Sequence, residues 1–237
     1  MAIDDLPMPV VTFLNAVGIK WPYINEDSLS HLATLTREFG KAVDQTHQDA
    51  TQAVAGIAQG YQGAATQAMS SGWSHLSSTH VEELVAACDV MAVAIDAWAA
   101  YVVVQKGQAL VQLIELAISY ATALAAAPET FGASLAALPG LEEIGEAIGN
   151  SLIQDLEMYV QGKVIEAASK PLVAKVETML QGLDWSNAPG GTDPLGGGSI
   201  SLDKEVVDQH VSLLRQHAAT MRSHAETFQS QADGIEF

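Results

Sequence analysis

Residues 25–65 read NEDSLSHLATLTREFGKAVDQTHQDATQAVAGIAQGYQGAA, and this stretch decides the fold. Leu29, Leu32, Leu35, Phe39, Val43, Ala50, Val54 and Ile57 recur at steps that keep one face of a helix apolar. Ahead of them, Asn25-Glu26-Asp27-Ser28 supplies oxygens for the free N–H groups of a first turn and negative charge at the positive end of its dipole. The spacing predicts a helix over residues 27–59, about 50 Å long at roughly 1.5 Å per residue. Gly60-Tyr61-Gln62-Gly63 interrupts it. A second, Ala-rich helical stretch begins at Ala64 and runs beyond Ala100 toward Ala127, with a break expected near Gly107. Two long helices joined by a short turn pack antiparallel, because neither buries its stripe alone.

Outward from this hairpin, residues 8–17, MPVVTFLNAV, are too few for a membrane span and read as a short leading helix or buried arm that Gly18 ends. Pro128, Pro139 and the glycines at 132, 140, 145 and 149 predict a broken section over 128–150, with short helices folding back. The Gly145-x-x-x-Gly149 spacing permits close helix approach. Helical spacing resumes over 151–182 through Leu152, Leu156, Tyr159, Val160, Val164 and Ala167, where Pro171 kinks or divides the element and Lys163, Lys170 and Lys175 share a polar face. Residues 187–199, NAPGGTDPLGGGS, have the composition of a flexible linker, and no Lys-Ser or Lys-Thr follows to complete a phosphate loop. From Asp203 to Phe237, Val207, Val211, Leu214, Ala218, Met221, Ala225, Phe228, Ala232 and Ile235 alternate steps of four and three. That heptad seam needs a cover from its own bundle, another copy or another protein. The expected fold class is all-α: an elongated antiparallel bundle with a hairpin and N-terminal arm over 1–127 and added helices over 128–186. A linker over 187–199 then leads to a tethered amphipathic helix over 200–237.

The chain of 237 residues carries 28 acidic and 10 basic side chains, a formal charge of -18, yet it is 49% hydrophobic. That excludes a disordered acidic polymer. Lys106 is the one basic residue between positions 42 and 162, so a grip on nucleic acid or anionic lipid has no electrostatic source, and no nucleic-acid partner is expected. Met1-Ala-Ile-Asp-Asp lacks both a basic n-region and a long apolar h-region, so a cleaved secretory signal is not expected. Cys88 is single and cannot form an intramolecular disulfide. Between Val85 and Ala127 the charges are Asp89, Asp96, Lys106 and Glu115, and the longest uncharged run ends at Pro128, short of the roughly 18 residues a span needs. A buried bundle helix is expected there. The alternative is a pore former in which 85–127 inserts with Asp96 and Glu115 facing water.

Reactive constellations are missing from the sequence. His210, His217 and His224 lie seven apart, roughly 10 Å along a helix, too far for two to hold one metal. They read as a solvent-facing polar flank, the other readings being a pH-sensitive interface and a metal bridged between chains. His31, His47, His75 and His80 show no zinc spacing, and Cys88 beside Asp89 reads as a small buried hydrophobe. Glu82-Glu83 and Glu142-Glu143 are adjacent and so splayed around a helix. No Gly-x-Ser-x-Gly elbow occurs. The chain is expected not to be an enzyme, with no catalytic residue, cofactor or metal.

The two helices and their Tyr61-Gln62-Gly63 turn resemble the WXG superfamily, helical hairpins exported by the ESX or type VII secretion system, with Tyr61 in the place of the motif's Trp. Leu6-Pro7, Gly18-x-x-Trp21-Pro22, Glu26-Asp27, Leu29, Leu32, Ala33, Gly63-Ala64-Ala65, Ala68 and Trp73 stand in an order similar to the CpnT-like amino-terminal domain of large secreted toxins, over about residues 5–127. The resemblance implies a non-catalytic secretion and assembly module, secreted or held at the cell surface. Its partner would be a small WXG-type helical protein, a component of the secretion machinery or a second copy. It places a large ring at the hairpin tip, with Gly63 allowing a tight turn. Partner contacts are expected at Trp21, Tyr61, Gly63 and Trp73, and on the tail at Leu214, Met221 and Phe228. The tail opening Ile200-Ser-Leu-Asp203 is similar to the first helix of another WXG protein, where Asp caps a heptad helix. A Tyr-x-x-x-Asp spacing, the form of a type VII export motif, occurs at Tyr23 and Asp27 and reads either as that signal or as helix capping.

Overall fold

Asn25 starts the long helix: its Oδ1 accepts from the Ser28 N–H at 3.0 Å, and Glu26 and Asp27 occupy the first turn. The computed structural model describes residues 6–77, 81–170 and 201–235. Its elements are α1 (Met8–Val17), α2 (Glu26–Gly60), β1 (Tyr61–Gln62), α3 (Ala64–Leu76), α4 (Glu82–Ala126), α5 (Leu138–Tyr159), β2 (Ser201–Leu202) and α6 (Lys204–Asp233). A 3-10 turn, Ala133–Ala137, precedes α5, and a wider π-type turn series, Val160–Ser169, continues it. Apart from the two-residue strands, the described elements form an all-α helical bundle. The expected linker at 187–199, Pro171 and Lys175 lie outside the described residues.

Two boundaries differ from the sequence expectation. The helical stretch does not break near Gly107; α4, Glu82–Ala126, runs through it. Glycine costs a helix interior about 1 kcal/mol relative to Ala, an amount that one buried apolar neighbour offsets. Nor is 128–150 broken throughout. The irregular part ends at Ala137 and α5 runs unbroken through Gly140, Gly145 and Gly149, because Pro139 sits in the first turn, where its missing N–H costs nothing.

The chain groups into two compact units assembled from separated segments: Met1–His31 with Ala94–Glu166, and Leu32–Val93 with Ala167–Ile235. In the described part of the first, α1 closes on Gly18 (φ 74°), and the Ile19 N–H reaches back to Leu14 O at 3.0 Å. This αL closure turns Ile19 onto α5. A Cβ at Gly145 would lie 2.9 Å from Phe13 and one at Gly149 2.7 Å from Ile19, so the Gly-x-x-x-Gly pair is where the arm seats. Phe13 also meets Tyr120 edge-on at 5.4 Å, and Tyr101 stacks on Tyr159 at 4.2 Å. The inward row of α4, Ile95, Ala99, Val102, Ala109, Leu113 and Ala117, is buried at heptad spacing.

In the second unit α2 and the following helices pack antiparallel. Trp73 Nε1 donates to Thr51 Oγ1 at 3.0 Å, His47 bonds Ser77, and a Cβ at Gly40 would lie 3.0 Å from that of Cys88. Asp203 caps α6, accepting from the Val206 N–H at 3.2 Å, and β1 pairs antiparallel with β2, Tyr61 opposite Leu202. From there α6 runs back along α2: Val206 against Gly60, His210 against Gly56, His224 Nε2 3.1 Å from Thr46 Oγ1, and Phe228 stacked on Phe39 at 5.0 Å.

Candidate docking surface

The Trp21-Pro22 segment is pinned from beneath by a charge pair. Lys106 lies on the buried row of α4, in phase with Val102, Ala109 and Leu113, and is 0% exposed. Its Nζ donates to Ile24 O at 2.6 Å and sits 3.2 Å from Glu26 Oε1, on a side chain 4% exposed at the amino end of α2. Glu26 Oε2 has no hydrogen-bond partner among the described residues, so Lys106 and the helix dipole carry its compensation. Trp21, expected at a partner surface, is 6% exposed; it packs in the interior. Nearby, a pocket of about 350 Å³ is lined by Pro22, Ile24, Trp98, Ile153, Leu156 and Ile165.

The hairpin tip is occupied by its own chain. Tyr61 is half-buried, its carbonyl accepts from buried Thr66 Oγ1 at 2.8 Å, and its strand pairs with β2. Gly63 does not serve the turn through a left-handed backbone: its φ of 179° is open to any residue. A Cβ there would lie 3.2 Å from Tyr61 Oη, so the glycine makes room for that ring. Trp73 stacks on His47 at 5.2 Å within the hairpin. Burial lowers the His47 pKa below its usual value, while Asp44 and Glu82 pull the other way. Burial and then Asp89 raise that of the Cys88 thiol, which keeps it unreactive.

On the tail, Leu214, Met221 and Phe228 are half-buried, and Phe228 covers Phe39 of the same chain. The histidines correct the sequence reading. His210, His217 and His224 are not a solvent-facing flank; they are half-buried, His210 and His224 against α2, and His210 and His217 line one gap with Asp49. Ala218 and Ala225, assigned to the seam, are exposed. A row of alanines buries less area than a row of imidazoles, so α6 turns its larger side chains inward. Tyr23 and Asp27 are both exposed, but Tyr23 precedes α2 and Asp27 lies in its first turn, so the pair does not share a helical face. Among the described residues, no three His, Cys, Asp or Glu side chains gather to hold a metal.

One feature escaped the sequence reading. α4 is apolar on both sides, and its outward side stays open in the first unit: Ala97 and Ala100 are exposed, Val104 is 52%, Val111 60% and Ile118 57% exposed. The legible signal was a helix with apolar residues in two opposed rows instead of one. By length and composition α4 can cross a membrane, and its most apolar window is 28% buried. The sequence reading expected a buried bundle helix over 85–127 and kept insertion as its alternative.

A long helix folded against its successors across an aromatic-x-Gly turn defines an all-α helical hairpin of the WXG type. A family model described as a WXG100-like domain matches residues 4–140, more than half the chain, and the chain belongs to that family. No curated protein and no solved structure matches the chain.

Proposed function

We propose that the protein is a non-catalytic export and adaptor module of type VII secretion, akin to the CpnT-like domain at the front of secreted toxins, acting through helix-helix contacts and released to the cell surface or medium. The observation that carries this reading is the WXG100-like match over residues 4–140. Support comes from α4, whose open apolar side is what a helical partner would cover. Tyr61, Trp73 and Phe228 act at one remove, holding the helices in place.

The test is export. A tagged chain expressed in a Gram-positive host should reach the culture filtrate when the type VII ATPase is intact and remain in cells when it is deleted. Equal release from both strains overturns the reading. The double variant Tyr23→Ala with Asp27→Ala decides whether that pair is the signal: loss of export with an unchanged unfolding midpoint assigns it, and unchanged export leaves it to the start of α2.

A second reading, membrane insertion by α4, is favoured by that helix's length, composition and low burial. It requires Lys106 to leave Glu26 and Ile24. Dye release from liposomes at neutral and acid pH separates it from docking.

A further inference from the structure

We propose that the outward side of α4 from Ala97 to Ile118 docks an amphipathic helix of a different protein, one whose apolar heptads are flanked by Lys or Arg. This rests on the adaptor reading and names the partner's chemistry. The apolar positions Ala97, Ala100, Val104, Val111 and Ile118 follow steps of three, four and seven, the period at which a second helix sets its side chains between those of the first. β-Branched residues supply the projections and alanines the gaps at one end of the row.

Charge selects among occupants. Glu115 is exposed between Val111 and Ile118, and the helix's single cation, Lys106, points the other way, buried against Glu26. The docking side thus offers a carboxylate and no cation. A second copy would bring another such face and another chain of charge -18, a repulsive pairing at neutral pH. Bilayer hydrocarbon would have to desolvate Glu115 in the middle of the row. A helix with basic flanks meets Glu115 with opposite charge and covers the valines.

The probe is a synthetic 28-residue helix, about 42 Å long, with Leu and Ala at its core heptad positions and Lys at the flanking positions, alongside the same helix with Glu flanks. Binding to the full chain is read by fluorescence anisotropy at about 0.15 M salt. The Lys-flanked helix should bind at least tenfold more tightly than its Glu-flanked twin. Val104→Glu with Ile118→Glu should lose that binding at least tenfold while keeping helicity and unfolding midpoint, since both side chains face solvent. Glu115→Lys should reverse the preference, a readout that misfolding would not produce. Equal binding of both helices, or binding indifferent to the double variant, overturns the proposal. So does a wild-type dimer that Val104→Glu with Ile118→Glu converts to monomer, or vesicles of phosphatidylcholine and phosphatidylglycerol that capture the wild type but not that variant. If the double variant is exported as efficiently as wild type in the secretion assay, α4 is not the docking face although the module reading stands; ATPase-independent release sinks that reading whatever the peptides do.

Discussion

Lys106 shows how a single residue changes meaning between sequence and fold. In the sequence it is a lone cation on an apolar helix; in the structure it is sealed against Glu26 and the Ile24 carbonyl. Removing one member of a buried pair leaves the other uncompensated, so Lys106→Met should destabilise the protein by about 3–5 kcal/mol, read by urea unfolding. Adding Glu26→Gln should restore most of that loss, because no buried charge then remains unpaired; a double variant as unstable as the single one would refute this account. His47 gives the pH-sensitive counterpart. Its folded pKa is depressed by burial, so the unfolded chain takes up a proton first as pH falls below the ordinary value of about 6.5. The stability His47 supplies is present above that pH and is lost as pH falls to its depressed folded value. His47→Gln should therefore shrink the drop in unfolding midpoint between pH 7.5 and 5.5.

At the level of elements, docking of α6 depends on small residues of α2. The His210 ring fills the space a Cβ at Gly56 would need, and Val206 Cγ1 would lie 2.8 Å from one at Gly60. Gly56→Ala gains helix propensity for α2, by at most about 1 kcal/mol, but should loosen α6. Amide exchange should then quicken along Lys204–Asp233; unchanged protection there would show that α6 tolerates the methyl group. The turn after α4 tells the opposite story. Phe131 holds φ 51°, the αL position that a helix end usually gives to glycine, and the Gly132 N–H bonds Ala127 O at 2.8 Å. With its side chain 99% exposed, Phe131 gains nothing from packing, so Phe131→Gly should raise stability by up to about 1 kcal/mol. A lower melting temperature for that variant would mean the ring is supported.

For the whole molecule, 28 acidic against 10 basic side chains set a repulsion that folding must overcome. Raising salt shortens the Debye length from about 30 Å at 0.01 M to about 3 Å at 1 M. The melting temperature should therefore rise between 20 mM and 500 mM NaCl, and a fall would show that attractive surface pairs outweigh the net charge.

Much of this was legible in residue order. Periodicity fixes which face of α2 is apolar, Asn25 and Gly18 mark helix ends through side-chain and backbone chemistry local to a few residues, and Asp203 does the same for α6. Those features are short-range and need no knowledge of the neighbours. The candidate site was less legible, because the sequence shows that a residue is apolar but not whether another helix covers it. Trp21 is buried, half-buried Trp73 stacks on His47 of its own hairpin, the histidines face α2, and the valines of α4 are left open, each decided by which helices meet and at what register. Sequence alone settled the all-α class, the start of α2, the caps and the acidic charge; only tertiary packing, which assigns every side chain its neighbours, decided that Lys106 is buried and the Val104, Val111 and Ile118 row is not.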